Sequence, residues 1–564
     1  MKLAFNHVGY GPDERKRILI QAPVDADWDH VALVRLPAGE EVWRTVPRAC
    51  GSVAGWHLGS WWEIDAGGVT APGRYAVRWA LTDGASGQGE GFEIREGLLG
   101  PTLISDLLFH IKSQRSSGIW DKADSQAPRL DDRVARDVSG GWFDAAGDNS
   151  KYLSHLSYAN VMNPQQNPMV AWALGRAWER YAGLGSDDYF RERLRDEALH
   201  GADWLMRMQD EVGYWYVTVF DRWSKDPTQR ELCTYATQEG HKGTDYQAGW
   251  RQGGGMAVAA LALAARLGGG GAYSAEEYRS AALTGFRHLI EHGRSYLDDG
   301  TENLIDETCA LLAAAELATL VPQEDVLAEL DSRLSQTLAR SRETDGHVWL
   351  AMDDAGERSW FHASDAGLPA LALARAAELH PDRKDAAAAR DLAVVWLESL
   401  VSLGDDVPNP FGYPPHWVKE PGEEGRRQWF YPHDNPSGYW WQGENAKLAS
   451  LAGAVWTVAP ADAGLAGAAS RWVDWILGAN PFDACMMHGR GRNNPHYEDD
   501  GAFNAPGGVC NGVTSGFEDE ADIAFQPSPW NDDPDQKWRW AEQWLPHAAW
   551  LLYALAIRDT NMVR

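Results

Sequence analysis

The hydrophobic period of this chain changes once, near residue 97, and that change limits the fold more than any other feature. Up to about residue 95 the apolar residues come in short runs, Ile18-Leu19-Ile20, Val31-Ala32-Leu33-Val34, Tyr75-Ala76-Val77-Arg78-Trp79 and Phe92-Glu93-Ile94, separated by Gly, Pro and Asp clusters. Short strands at this spacing predict a β-sandwich over residues 1–96. After Gly97-Leu98-Leu99-Gly100-Pro101 the spacing becomes helical, first from Thr102 and then over Val170–Tyr181, Tyr189–Gln209, Met256–Leu267, Tyr278–His292, Leu304–Leu320, Leu368–Leu379 and Trp550–Ala556. Ser274 with Glu277 makes a capping-box pattern, and the Ala-rich run Ala257–Ala265 suits a tightly layered helix. The chain therefore reads as multi-domain, with an all-α domain over residues 102–564 in which nearly everything ordered after Met169 is helical.

With 564 residues, 44% hydrophobic and 23% charged, the chain can bury a large core. A net charge of −30 excludes nucleic acid and anionic membrane surfaces as partners unless a basic stripe is present. The most basic stretch, Arg15-Lys16-Arg17, follows Pro12-Asp13-Glu14 and reads as a solvated turn. The opening residues lack the apolar stretch of a secretory signal, and no apolar run is long enough to span a membrane, so a cytoplasmic location is expected. Cys50, Cys233, Cys309, Cys485 and Cys510 are odd in number and scattered, which predicts reduced thiols.

Chemistry concentrates in the run Gly140-Gly141-Trp142-Phe143-Asp144-Ala145-Ala146-Gly147-Asp148-Asn149-Ser150-Lys151. Two carboxylates in one Gly-rich turn suit the holding of a hydrolytic water, one taking its proton and the other fixing its orientation; an Asp-capped turn is the plainer alternative. Tryptophan is the compositional anomaly, with 29 residues, and Trp215, Trp223, Trp360, Trp417, Trp429, Trp440, Trp441, Trp530, Trp538, Trp540 and Trp544 crowd the loops. Flat indole faces cover the C–H faces of sugar rings. The long non-helical segments 210–250, 404–440 and 483–540 are where function is expected. Within them His433-Asp434-Asn435, Tyr439-Trp440-Trp441-Gln442-Gly443-Glu444-Asn445 and Met487 to His496 are dense in polar and aromatic residues, as is Phe361 to Gly367 outside them. A metal site of His488 and His496 with Cys485 and Cys510 fits no common zinc spacing.

The segment Gly140–Asp148 resembles the Gly-Gly-Trp-aromatic-Asp-Ala-Gly-Asp motif of glycoside hydrolase family 9, and Asn6-His7-Val8-Gly9-Tyr10-Gly11-Pro12-Asp13 resembles the start of that family's immunoglobulin-like module. The resemblance extends over essentially the full chain. It implies an N-terminal immunoglobulin-like β-sandwich followed by an all-α (α/α)6 barrel, and hydrolysis with inversion at the anomeric carbon. It implies Asp148 as general base, with Asp144 helping to hold the water. The family's general acid precedes the last barrel helix, where Glu520 and Glu542 compete; Ala554-Leu555-Ala556 stands at the family's offset from Glu542, which is chosen. A Trp-flanked Glu is also readily kept protonated. The expected substrate contacts are His433, Asp434, Tyr439, Trp441, Glu444, Arg490 and His496.

This chain departs from the family pattern at three points: one extra Ala between the Asp residues, Pro495-His496-Tyr497-Glu498 in place of Pro-His-His-Arg, and Ala541-Glu542 in place of Asn-Glu. The departures argue against a typical secreted endocellulase; the extra-Ala Asp segment and the Tyr439–Asn445 loop resemble the exo-acting branch that removes β-linked glucosamine from chitosan oligosaccharides, and a cationic sugar suits the acidic surplus, with Asp434, Glu444 or Glu498 as its partner. A β-glucosidase or endoglucanase acting on cello-oligosaccharides is the alternative on the same scaffold. A polysaccharide lyase and a non-catalytic carbohydrate-binding protein are more distant ones. The only partner expected is a small oligosaccharide, no cofactor is required, a structural Ca²⁺ has no contiguous signature, and nothing in the sequence fixes the oligomeric state.

Overall fold

The computed structural model describes residues 1–185, 188–499 and 502–563. The first eight strands are β1 (Lys2–Ala4), β2 (Arg17–Gln21), β3 (Trp28–Arg35), β4 (Glu40–Thr45), β5 (Arg48–Gly51), β6 (Trp61–Asp65), β7 (Gly73–Leu81) and β8 (Ser86–Ile94). They form two four-stranded antiparallel sheets, in the orders β1-β2-β6-β5 and β4-β3-β7-β8. Ile18 and Ile20 of β2 meet Val31, Leu33, Tyr75, Val77 and Phe92 between the sheets. Alternation along a strand sends Leu19 to the opposite face, where it joins Trp61 and Trp56 in the core of the helical region. That is why β2 is apolar at three consecutive positions: each face of its sheet covers a different core.

Fourteen α-helices follow among the described residues: α1 (Pro101–Ser113), α2 (Gly118–Asp124), α3 (Asn167–Ala182), α4 (Asp188–Met208), α5 (Gly255–Arg266), α6 (Ala275–His292), α7 (Leu304–Ala318), α8 (Glu324–Ala339), α9 (Leu368–Leu379), α10 (Ala386–Asp405), α11 (Asn445–Val458), α12 (Ala463–Ile476), α13 (Trp538–Ala541) and α14 (Leu545–Val563). Helices α3, α5, α7, α9, α11 and α14 touch in that order, and α14 returns to α3, which closes a ring. Each ring helix carries one outer neighbour: α4, α6, α8, α10, α12 and α1 respectively. This arrangement is consistent with the (α/α)6 barrel that the resemblance implies.

The inner helices are buried on all sides, which their composition permits. Every residue of α7 is buried, and α5 is buried throughout except Arg266 at its end. With Ala at most close contacts, neighbouring backbones approach without bulky side chains between them. Glu316 ties the ring together at one end. Its carboxylate accepts from Trp172 Nε1 of α3 at 3.0 Å and from Arg375 Nε of α9 at 2.9 Å, and it also takes Arg266 of α5. Burial alone pushes this carboxyl up, but the guanidinium groups of Arg375 and Arg266 outweigh that and hold it far below the usual range.

One expectation is corrected here. The region beyond Met169 is not helix and loop alone, because Lys151–Tyr152, Thr218–Phe220, Glu231–Ala236 and His241–Gly243 form a four-stranded antiparallel sheet. Its strands are too short for a period-2 pattern to register in the sequence. Among the described residues no helix is long and apolar enough to cross a membrane. All five cysteines are unpaired.

Glu316→Ala takes from Arg375 and Arg266 the one fully buried carboxylate they share, leaving the more exposed Glu179 and Glu378, and is expected to cost about 3 kcal/mol. Urea unfolding of the variant measures this; a loss below about 1 kcal/mol would mean that the ring does not depend on the cluster.

Candidate active site

The turn that carries Asp144 and Asp148 is shaped by glycine and anchored by buried charge. Gly141 has φ +73°, and a Cβ there would lie 2.8 Å from the Trp204 ring, so a side chain is excluded both by conformation and by space. Gly147, at φ +99°, reverses the chain between the two aspartates. Lys151 sits beneath with its ammonium 2.8 Å from the Val138 carbonyl, 2.7 Å from the Gly140 carbonyl and 2.7 Å from the Asp124 carboxylate. Arg230 grips the same carboxylate and donates to the Asn149 carbonyl at 2.9 Å. Burial lowers the Lys151 ammonium to about 8, against the pull of Asp124.

The segment just ahead of α14 is hydrogen bonded to this turn. Ala146 N donates to the Gln543 carbonyl at 3.1 Å, and Leu545 N donates to the Asp144 carbonyl at 2.9 Å. The pairing brings Glu542, at the C-terminal end of α13, to the same cleft as the two aspartates. Glu520 is placed elsewhere: it is exposed, it accepts from the His433 amide at 2.6 Å, and it does not line the cleft. The structure thus places Glu542, and not Glu520, in the cleft with the aspartates.

The two aspartates differ in their surroundings. Asp148 accepts from Ser150 N at 2.8 Å, Trp223 Nε1 at 3.0 Å and Tyr152 OH at 3.2 Å. Asp144 is 4% exposed and accepts from Trp544 Nε1 at 2.9 Å. Burial raises both carboxyls; the charges of Asp148 and Glu542 raise Asp144 further, and that of Asp221 raises Asp148. Asp144 is pushed well above the ordinary range, whereas Asp148 is raised less. Three donors therefore make Asp148 the better anion, and so the better acceptor of a proton from water.

His155 completes the group. Its ring is buried, with Nε2 3.7 Å from Asp144 Oδ2 and Nδ1 2.9 Å from Tyr235 OH. Burial lowers it to about 3, so it stays neutral. One oxygen of each aspartate and one ring nitrogen of His155 lie within 4.8 Å of one another, close enough to hold a water or a metal ion. Two carboxylates and an imidazole suit a transition ion better than Ca²⁺, which takes 6–8 oxygen ligands.

The cleft encloses about 400 Å³, and Trp223, Tyr439, Trp440, Tyr497, Trp538 and Trp544 supply its aromatic walls. Arg222, Trp223 and Lys225 all have positive φ, between 52° and 62°. Such strain in non-glycine residues clusters at functional sites. Here it directs the Trp223 indole onto Asp148.

Of the residues expected to contact substrate, the structure brings only Tyr439 to this cleft. Glu444 is buried and saturated by Lys447 Nζ at 3.0 Å, His416 Nε2 at 2.7 Å, Tyr413 OH at 2.8 Å and Tyr431 N at 2.8 Å. Burial pushes it up, but Lys447 and His416 hold it at about 2, so it serves as an internal ion pair. Trp441 stacks on the His433 ring at 3.6 Å and lies 4.0 Å from the Arg539 guanidinium, so its indole is engaged by protein groups and does not line the cleft. Asp434 is exposed away from the lining, and Arg490 pairs with Asp106. His496 points outward, 80% exposed, and its neighbour Tyr497 lines the cleft instead.

Residues that the sequence did not single out take these places: His155, Lys225, Gln238, Gln442, Tyr497 and Asp535. Gln442 and Tyr497 adjoin expected residues and were missed by one position. Lys225 and Gln238 lie in the 210–250 segment, while His155 carries no local signal at all.

The family model described as Glycosyl hydrolase family 9 matches residues 105–507. The chain belongs to glycosyl hydrolase family 9. Among solved structures, a metagenome-derived glycoside hydrolase family 9 endoglucanase aligns with TM-score 0.68 at 19% identity over 99% of both chains. A structure titled Bacteroides ovatus GH9 aligns with TM-score 0.65 at 18% identity, and AaCel9A in complex with cellobiose-like isofagomine aligns with TM-score 0.64 at 18%, each over 99% of both chains. At these identities the likeness establishes the fold. A comparison with curated proteins gives no match.

Because the folded state raises both aspartates above their unfolded value of about 3.9, the native protein binds more protons than the unfolded chain between those values. Stability is therefore lost as pH rises through that window. Asp144→Asn is expected to raise the melting temperature at pH 7 while lowering turnover, and Asp148→Asn and Glu542→Gln to reduce turnover by at least about a hundredfold. Calorimetry with initial-rate assays checks all three. Equal damage from Glu520→Gln would reverse the assignment of the acid.

Proposed function

We propose that this protein is an inverting exo-β-glycosidase that releases glucosamine from the non-reducing end of short chitosan oligosaccharides. The observation that carries the reading is the presence of Asp148 and Glu542 in one aromatic cleft, with Asp144 beside Asp148. In this mechanism Asp148 takes the proton of a water oriented by Asp144, and Glu542 protonates the departing glycosidic oxygen. No carboxylate is left to act as a nucleophile, so the product inverts.

Two features support the amino-sugar specificity. The cleft lies within the roughly 300–1,000 Å³ span of small-ligand pockets. With Glu542 protonated as the acid and Asp144 driven toward its neutral form, the lining still carries Asp148 and Asp535 against Lys225, which favours a cationic substrate. With Glu444 committed to Lys447 and Asp434 outside the cleft, Asp535 is the carboxylate best placed to meet an ammonium. Lys225 supports the second reading, a β-glucosidase or endoglucanase of cello-oligosaccharides, because a sugar hydroxyl near it carries no charge to repel. The word endoglucanase in the titles of similar structures points the same way.

In proton NMR of a β-linked substrate the first product is expected to be the α-anomer, and an initial β-anomer would refute the inverting mechanism. The kcat/KM for the glucosamine disaccharide is expected to exceed that for cellobiose by one to two decades, the size of a charge-assisted hydrogen bond of about 1.5–3 kcal/mol. Asp535→Asn should erase the difference. Equal or better hydrolysis of cellobiose by the unmodified enzyme replaces glucosamine with glucose.

A further inference from the structure

A second cavity, of about 240 Å³, lies where the sandwich meets the helical region, between the turn after Tyr10, strand β2 and helices α11, α12 and α14. It is distinct from the cleft. Gln442 and Trp544 of the cleft precede the N-termini of α11 and α14, while Trp456 and Arg558 of this cavity sit near the C-terminal ends of the same helices. At 1.5 Å per residue the separation along either helix is roughly 20 Å.

Four guanidinium groups line the cavity: Arg15, Arg17, Arg471 and Arg558. Three are committed. Arg15 pairs with Asp65 at 2.7 Å, Arg17 with Glu63 at 2.8 Å, and Arg558 with Glu14. Arg471 is different. Its Nε is buried with no hydrogen-bond partner, and among the described residues no carboxylate lies within ion-pair distance of it. Burial lowers its pKa, and Arg17 lowers it further, against the pull of Asp405. The remaining acid in the lining, Asp474, accepts from Asn6 Nδ2 at 2.7 Å, and burial pushes it up to about 7, so it does little to neutralise Arg471.

A part-buried guanidinium whose Nε has no acceptor and which no carboxylate pairs is costly, and a fold of this size holds many carboxylates that could have met it. Its planar fork matches the oxygens of phosphate and carboxylate groups, and with three further guanidinium groups in the lining, although paired, the local field favours the more highly charged of the two. The rest of the lining is apolar or small: Leu99, Trp456, Ala463, Ala466, Gly467 and Val473. The space exceeds what a bare ion fills.

We infer that this cavity binds a phosphate-headed ligand, inorganic phosphate or a small phosphate monoester, with Arg471 making the principal contact and the wall of Leu99 and Trp456 receiving any organic body. The site stands apart from the hydrolytic cleft and does not depend on which sugar the cleft accepts.

Titration calorimetry of the intact protein with inorganic phosphate and, separately, with glucose 6-phosphate tests this, with sodium chloride at matched ionic strength as control. Saturable binding of at least one phosphate probe and none of chloride is expected. Tighter binding of glucose 6-phosphate identifies a monoester site, and equal affinity identifies the ion alone as sufficient. Arg471→Met should weaken binding about ten- to hundredfold. Because it removes a part-buried charge that no carboxylate pairs, the same variant should fold at least as stably as the parent in phosphate-free buffer. If Arg471→Met fails to fold, Arg471→Lys, which keeps the charge without the fork, should weaken binding as well. No saturable binding of either probe, or binding that Arg471 variants leave unchanged, overturns the inference.

Discussion

Two main-chain hydrogen bonds, Ala146 N to the Gln543 carbonyl and Leu545 N to the Asp144 carbonyl, hold together residues separated by about 400 positions. Everything in the cleft depends on this join. It makes Trp544 a donor to Asp144, places Glu542 against the aspartate pair, and sets where α14 enters the ring. Backbone pairing is well suited to the task, because its geometry does not change when the catalytic side chains gain or lose a proton.

The site is assembled against an electrostatic gradient. Carboxyls that burial and mutual repulsion drive toward the neutral form are kept usable by fixed dipoles, the indole N–H groups of Trp223 and Trp544, the Ser150 amide and the Tyr152 hydroxyl. Beneath them, Asp124, Lys151 and Arg230 form a buried charge cluster that holds the turn by its carbonyl oxygens. Glu444 with Lys447 and His416, and Glu316 with Arg375 and Arg266, repeat the device elsewhere in the fold. Much of the chain's acidic surplus is thus internal or superficial, and little of it touches the cleft.

How far the sequence was legible followed from how local each signal was. The period change near residue 97, the capping box at Ser274 with Glu277 and the long helices α3 to α7 are written in adjacent residues, and the structure has them. The helices α8, α10, α11 and α12 were not singled out, and neither were the short strands. Asp144, Asp148 and Glu542 were legible because the resemblance fixes their spacing, and the structure brings them together. Glu444 and Trp441 were misassigned because their segment is dense in polar and aromatic residues for a structural reason: it packs against His416, Lys447, His433 and Arg539. Density alone does not say which way a side chain faces. His155 was invisible because its partners, Asp144 and Tyr235, come from separate parts of the chain.

Strand β2 belongs to two interiors at once. Ile18 and Ile20 seal the sandwich, whereas Leu19, with Trp56 and with Trp61 from β6, packs on the other side against Phe411 of the helical region. A module attached in this way is not a cassette that can be exchanged between proteins, because its outer wall is shaped to one particular neighbour. Gene rearrangements that cut near residue 97 would strip an apolar floor from the barrel and leave the freed sandwich with a sticky face. Within this chain, then, neither half presents a finished surface without the other.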